Sequence, residues 1–156
     1  MTPRSRSQPV VSVATPGGRV PVAVSKLEAL ARAVLKAEKM TDAVVSVTFV
    51  STRAMAVLNK QHLNHAGATD VMTFALGVDP AGTMRADIYI CTEVAREQAA
   101  FHGVGVREEV QRLVTHGLLH ACGYDHPDDD SRTTSSMWRR QETLLKRFLN
   151  ATTGAR

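Results

Sequence analysis

The sequence predicts an α+β fold: a small mixed sheet of about four strands packed with about five helices, with a metal site at a helix end. Three observations carry that expectation. Short β-branched or alternating apolar runs are separated by longer runs whose apolar residues recur at three- and four-residue steps. Their order is strand, helix, strand, helix, strand, strand, then helices only. At 156 residues, 44% hydrophobic and 22% charged, the chain has the size and composition of one ordinary domain with its own core. A single domain over 1–156 is therefore expected, with 1–8 and 151–156 as flexible ends.

Pro9 to Ala14 is valine-rich and precedes Thr15-Pro16-Gly17-Gly18, a turn signal, so it reads as the first strand. Ser25, with Glu28 three residues later, has capping-box spacing and opens a helix whose buried face is Leu27, Leu30, Ala31, Val34 and Leu35, up to about Lys39. Ala43 to Val50 alternates as a second strand. Ser51 or Thr52 caps a short helix through Met55, Val57 and Leu58, and Asn59 to Ala68 reads as a polar loop. Val71 to Leu76 resumes as a strand, with Thr69 and Asp70 at its mouth. Gly77 to Met84 is a turn, and Asp87 to Cys91 returns antiparallel to the previous strand. Thr92 and Glu93 start a helix to about His102, and Gly103 and Gly105 separate it from the next. After Pro127, Asp128 to Ser131 supply a cap and an acidic first turn for the last helix. That helix buries Met137, Leu144, Leu145 and Phe148 and turns Arg139, Arg140, Lys146 and Arg147 to solvent. Capping explains the triple aspartate better than metal ligation, because oxygen-only clusters of that kind suit hard cations.

The fourth helix carries the chemistry. Val106, Val110, Leu113, Val114, Gly117, Leu118 and Ala121 form one apolar stripe from about Arg107 to Cys122, with His116 and His120 at its edge. Four residues apart, the two imidazoles lie on one helical face, close enough to share an ion. Gly123 is placed to end the helix in the left-handed conformation, which lets Tyr124-Asp125-His126 bend back and offer a third imidazole. These three use half of the six histidines in the chain. Three neutral imidazoles with a fourth position left for water describe a catalytic Zn²⁺ site, one ion per chain. The alternative is two ordinary part-buried histidines and a third in a loop.

Composition narrows the function. No long apolar run exists that could span a membrane, and Val10 to Ala14 is too short for a signal-peptide core. Cys91 and Cys122 lack paired zinc-finger spacing and fit a reducing, cytoplasmic compartment. Both read as small buried residues, with a thiol of Cys122 beside the metal as the alternative. Net charge of +4 favours a polyanion such as RNA only weakly, and 4% aromatic content argues against an extensive base-stacking platform. No glycine-rich phosphate loop follows a strand, so no nucleotide cofactor is expected.

Zinc on three histidines can bring the pKa of a coordinated water from ~15.7 to about 7, which points to hydrolysis. His116, His120, Gly123 and His126 also reproduce the ligand spacing of metzincin proteases, H-E-x-x-H-x-x-G-x-x-H. Position 117, however, is glycine where those enzymes carry the glutamate that delivers a proton to the leaving amine. Phosphodiester cleavage depends more on charge stabilisation and tolerates that loss better. A zinc metallopeptidase-like hydrolase remains the competing reading.

The run HGLLHACGYDH, preceded by Leu58-Asn59, Thr69-Asp70-Val71-Met72-Thr73-Phe74 and Asp87-Ile88-Tyr89-Ile90-Cys91 and followed by Met137 and Glu142, resembles the YbeY family of bacterial rRNA-maturation endoribonucleases. The resemblance spans roughly Val44 to Leu145. It implies a zinc-dependent, single-strand-directed endoribonuclease of the cytoplasm. Its partners would be rRNA and the ribosomal small subunit, in 16S rRNA 3′-end maturation and ribosome quality control. His116, His120 and His126 correspond to the family's zinc ligands, and Asp70 is a candidate for water orientation or support of the ligands, against a plain capping role. The chain departs from the family at His62 and Leu63, where tyrosine and arginine are usual, and at Ala68 and Ala86, where proline and glycine are usual. Loss of the arginine leaves Lys60, Arg53 or Arg85 to substitute. Otherwise cleavage is weak and the protein acts as a ribosome-binding factor.

Overall fold

The alternating runs pair into one four-stranded sheet in the computed structural model, which describes residues 8–62, 70–126 and 133–154. Strands β1 (Val10–Ala14), β2 (Ala43–Val50), β3 (Val71–Val78) and β4 (Met84–Cys91) lie in the order β1-β2-β4-β3. β1 and β2 are parallel, as are β2 and β4, while β3 is antiparallel to β4. The sheet is therefore mixed, and with helices α1 (Val24–Ala37), α2 (Thr52–His62), α3 (Thr92–His102), α4 (Val106–Ala121) and α5 (Ser136–Gly154) the expected α+β architecture is present.

Side-chain alternation divides the core in two. Val45, Val47 and Phe49 of β2 and Ala86, Ile88 and Ile90 of β4 belong to the main core with α1, α4 and α5. Met72 and Cys91, with Phe74 and Tyr89 packed against them, have the opposite parity and meet Met55 and Leu58 of α2 in a smaller cluster. That cluster explains why α2 outruns its expected end. Asn59 is buried one turn beyond Met55, and the His62 ring meets Phe74 edge-on at 5.0 Å, so the supposed loop begins as helix. Leu63 to Thr69 lie outside the described residues, and with them the departures at Leu63 and Ala68.

Two helix starts differ from expectation. α1 is capped at Ala23, with no side-chain cap, so the Ser25–Glu28 box does not form. Val22 and Leu27, at the two positions of a hydrophobic staple around that cap, are both buried in the main core, and their burial decides where the helix begins. α5 begins at Ser136 with the Ser135 hydroxyl accepting from the Trp138 N–H at 3.2 Å, and its first turn holds no acidic residue. Asp128 to Ser131, outside the described residues, are thus too far upstream to be its cap or first turn. Arg140 is not a plain solvent-facing cation either: its Nε donates to Glu38 at 2.6 Å, tying α5 to the end of α1. β3 and β4 also extend further into the hairpin than expected. The turn shortens to Asp79–Thr83, closed by the Asp79 N–H to the Thr83 carbonyl at 2.9 Å.

α4 is the hub. It packs against α1, α3, α5, β3 and β4. Eleven of its sixteen residues are consequently buried, so the single apolar stripe read from sequence understates its surroundings, and His116 lies inside the protein, not at a stripe edge. Gly117 sets how closely the helix approaches the sheet. A Cβ there would stand 2.8 Å from Ile88 Cγ2 and 3.3 Å from Thr73 Oγ1, and that hydroxyl donates to the Gly117 carbonyl at 3.3 Å. Ile88 is fully buried and its branched side chain is held at χ1, so it has little room to yield. Gly117→Ala should therefore lower stability by about 1–2 kcal/mol in denaturant unfolding, overpacking of ~1–3 kcal/mol exceeding the helix-propensity gain of ~1 kcal/mol. An unchanged or raised midpoint would show that the approach is looser than these distances require.

Candidate metal centre

The end of α4 is built to fold back on itself. Gly123 takes φ 102°, the Tyr124 N–H donates to the Leu119 carbonyl at 3.0 Å, and the Gly123 N–H donates to the His120 carbonyl at 3.0 Å. These two bonds are the paired closure of a glycine-terminated helix. The reversal places the Tyr124 carbonyl 3.1 Å from His120 Nδ1 and brings His126 over the helix end. The Tyr124 hydroxyl donates to Glu38 at 3.0 Å, which anchors the bend to α1 and holds the phenol above its usual range.

His116, His120 and His126 thus meet. His116 Nε2 lies 3.2 Å from His120 Nε2 and 3.2 Å from His126 Nε2, and one ligand atom from each ring falls within 4.8 Å of the others. Two nitrogens bound tetrahedrally at 2.0–2.1 Å to one centre would sit about 3.3 Å apart, so this group could hold a metal ion.

Hydrogen bonding on the far side of two rings fixes which nitrogen faces the centre. A backbone carbonyl can only accept, so His120 Nδ1 carries the proton toward Tyr124 and Nε2 keeps its lone pair. His116 Nδ1 is 2.6 Å from Gln141 Oε1. The amide orientation is itself fixed, because Gln141 Nε2 donates to Glu142 Oε2 at 3.0 Å and a carboxylate can only accept. His116 Nδ1 therefore donates, and its Nε2 also presents a lone pair. Two lone pairs at 3.2 Å repel unless a proton or a cation lies between them, which is the electrostatic signature of a ligand cluster.

Glu142 is held in turn by Arg112, whose Nε and Nη2 reach its carboxylate at 3.0 Å. Burial pushes the Glu142 carboxyl upward, but the Arg112 and Gln141 hydrogen bonds outweigh it and leave the pKa below the usual range. Arg112 also contacts Glu109 at 3.1 Å and Glu108 at 3.2 Å. A cavity of about 260 Å³ opens beside this chain, with His116, Asp70, Arg112, Gln141 and Trp138 in its wall.

The structure brings the three histidines together and sets Asp70 in the same cavity wall, where its carboxylate also accepts from the Val71 N–H at 2.8 Å. Cys122 is not in the group. Burial and the nearby Glu38 charge push its thiol up to about 11, so it is protonated near neutrality. Of the cations suggested to replace the missing arginine, Arg85 is engaged by Asp79 at 3.0 Å in the β3–β4 turn. Among the described residues the arginine that lines the cavity is Arg112, which sequence reasoning passed over, along with Gln141. Gln141 left a readable trace: it is a polar residue one turn after Met137 on the otherwise apolar face of α5.

Comparison with known proteins agrees with this geometry. The family model described as Endoribonuclease YbeY matches residues 17–149. An Endoribonuclease YbeY of Frankia alni is 38% identical over 148 residues, covering 86% of this chain and 80% of the relative. That of Beutenbergia cavernae is 38% identical over 140 residues, covering 83% and 92%. The solution structure of TM1509 from Thermotoga maritima matches with a TM-score of 0.62 and 27% identity over 93% of both chains. The helix-end histidine cluster, the mixed sheet beneath it and these matches place the chain in the YbeY endoribonuclease family.

Proposed function

We propose that this chain is a zinc-dependent, single-strand-specific endoribonuclease, acting in the cytoplasm on the RNA of the ribosomal small subunit, in 16S rRNA 3′-end maturation and ribosome quality control. The observation that carries the metal dependence is the convergence of the three imidazoles, two of them with the tautomer fixed so that Nε2 faces the shared centre. Neutral imidazole nitrogens are a donor set suited to Zn²⁺, and His116, His120 and His126 would hold one ion. When bound, the ion supplies a Lewis acid for a phosphoryl oxygen and lowers the pKa of a coordinated water toward neutrality.

The chain's own groups do the rest. Gln141 and the Tyr124 carbonyl take the Nδ1 protons and hold the rings at fixed angles. Arg112 neutralises Glu142, which keeps the Gln141 amide from turning over. This reading gives Asp70 a part in orienting water or taking a proton, because its carboxylate shares the cavity wall with His116. Against the peptidase reading, Gly117 faces Ile88 at contact distance, so the helix has no room there for the glutamate that amide hydrolysis requires. No helix of the described residues is long and apolar enough to cross a membrane.

Metal-loaded protein should cut an unstructured RNA faster than a duplex. Chelator or His120→Ala should reduce that cleavage by more than about a hundredfold, beyond the 10–100-fold typical of losing a supporting group. Equal cutting by the variant would assign the activity to another nuclease. Gln141→Leu should keep the fold but weaken zinc binding by about 10–100-fold in competition with a chromophoric chelator. Unchanged affinity would mean that the Gln141 contact does not set the His116 tautomer.

A further inference from the structure

The cavity beside His116 has walls that suit a ring system better than an anion. Trp138, Leu113, Val104 and His102 line it together with Arg112 and the carboxylates of Asp70, Glu109 and Glu142. Among the described residues the guanidinium in this wall is Arg112, and it is already shared among Glu108, Glu109 and Glu142. A phosphate entering here would meet, among the described residues, carboxylates and a guanidinium already committed to them, at a cost that the low-dielectric wall increases. A neutral heterocycle with N–H donors meets no such penalty, since carboxylates accept from base amino groups. At about 260 Å³ the space is smaller than the roughly 300–1,000 Å³ clefts that take drug-sized ligands. Trp138 is half-buried, at the start of α5, and supplies an indole wall. Outside it, Phe101 is 87% exposed and meets the His102 ring at 5.3 Å, which continues the aromatic surface past the cavity.

We propose that this cavity is a base pocket: it takes one nucleobase of the RNA strand, stacked on Trp138, and leaves the flanking phosphates outside, toward the histidine centre. The inference rests on the endoribonuclease reading and adds to it where the strand is gripped. Single-stranded RNA is commonly recognised through splayed bases on aromatic side chains, and a pocket next to His116 would fix the register of the scissile bond.

Trp138 is the sole tryptophan in the chain, so its emission reports this wall alone. The test uses the metal-loaded full chain and a short 2′-O-methyl RNA strand, with binding followed by anisotropy and tryptophan emission together. Emission should be quenched as the strand binds, and an abasic strand of equal length should bind more weakly without quenching. Trp138→Phe should retain most of the affinity, and Trp138→Ala should lose roughly five- to a hundredfold, the range of base–aromatic stacking. Circular dichroism and zinc content should match the parent in both variants, which separates a lost contact from a lost fold. A strand that binds with unchanged emission, and equally well when abasic, overturns the base pocket while the endoribonuclease reading stands. Failure of any strand to bind removes both.

Discussion

The close approach of α4 to the sheet is the constraint on which the rest of the molecule depends. Gly117 lies against Ile88 and Thr73, and no side chain fits between helix and strands at that level. With the helix axis fixed there, His116 and His120 are fixed in height and direction one residue before and three residues after the contact. The sheet beneath is fixed by the same face: Thr73 and Ile88 are register partners in the β3–β4 ladder, so the glycine sits over a paired position. The centre therefore inherits the rigidity of a packed helix, and only His126 comes from the bend behind it. That bend is pinned separately by the closing hydrogen bonds of the helix and by Tyr124 on Glu38.

A second constraint is electrostatic. Glu109 and Arg112 are largely withdrawn from water, with side-chain exposures of 6% and 14%. A buried ion pair of this kind is weak evidence for stability in itself, because desolvation consumes much of the Coulomb gain. Its value here is directional. Arg112 spreads its donors over Glu109, Glu142 and Glu108, and the orientation of Glu142 passes through the Gln141 amide to a single ring nitrogen of His116. The chain of bonds turns a local charge arrangement on α4 and α5 into a choice of tautomer. Arg112, Glu109, Glu142 and Gln141 also line the neighbouring cavity, so the same residues that orient His116 form its wall.

The sequence made the three-histidine cluster legible because everything it needs is local. A four-residue helical step, a glycine stop and a short return place three rings by backbone geometry alone, and the limits of α3 and α4 and the presence of all four strands follow from apolar periodicity, although β3 and β4 run further into their hairpin. Contacts made by other elements were not legible in this way. Gln141 is twenty-five residues from His116, and only the packing of α5 on α4 brings them together. Arg112 carries no signal in the sequence, because its partner Glu142 lies thirty residues away on α5. The start of α1 was misplaced because a capping pattern at Ser25 competed with the burial of Val22, and burial won. The helical end of α2 is not readable from Asn59 and His62, which look polar, whereas Asn59 is buried and the His62 ring meets Phe74 at the small cluster.

Position 117 separates two enzyme classes that share one ligand spacing. In the metzincin pattern the residue after the first histidine is the proton-carrying glutamate, and its replacement by glycine could be taken as a simple loss. The fold shows more than a loss. Successive residues on an α-helix point about 100° apart, so residue 117 faces the sheet while His116 faces the cavity. A glutamate at 117 would be driven into Ile88 and would have to bury a carboxylate among apolar side chains, a site that favours its neutral form and offers no route to a reacting group near His116. On the endoribonuclease reading proposed above, proton transfer would fall to another element of the cavity wall. Asp70, at the mouth of β3, is the carboxylate that stands there without belonging to the Arg112 cluster.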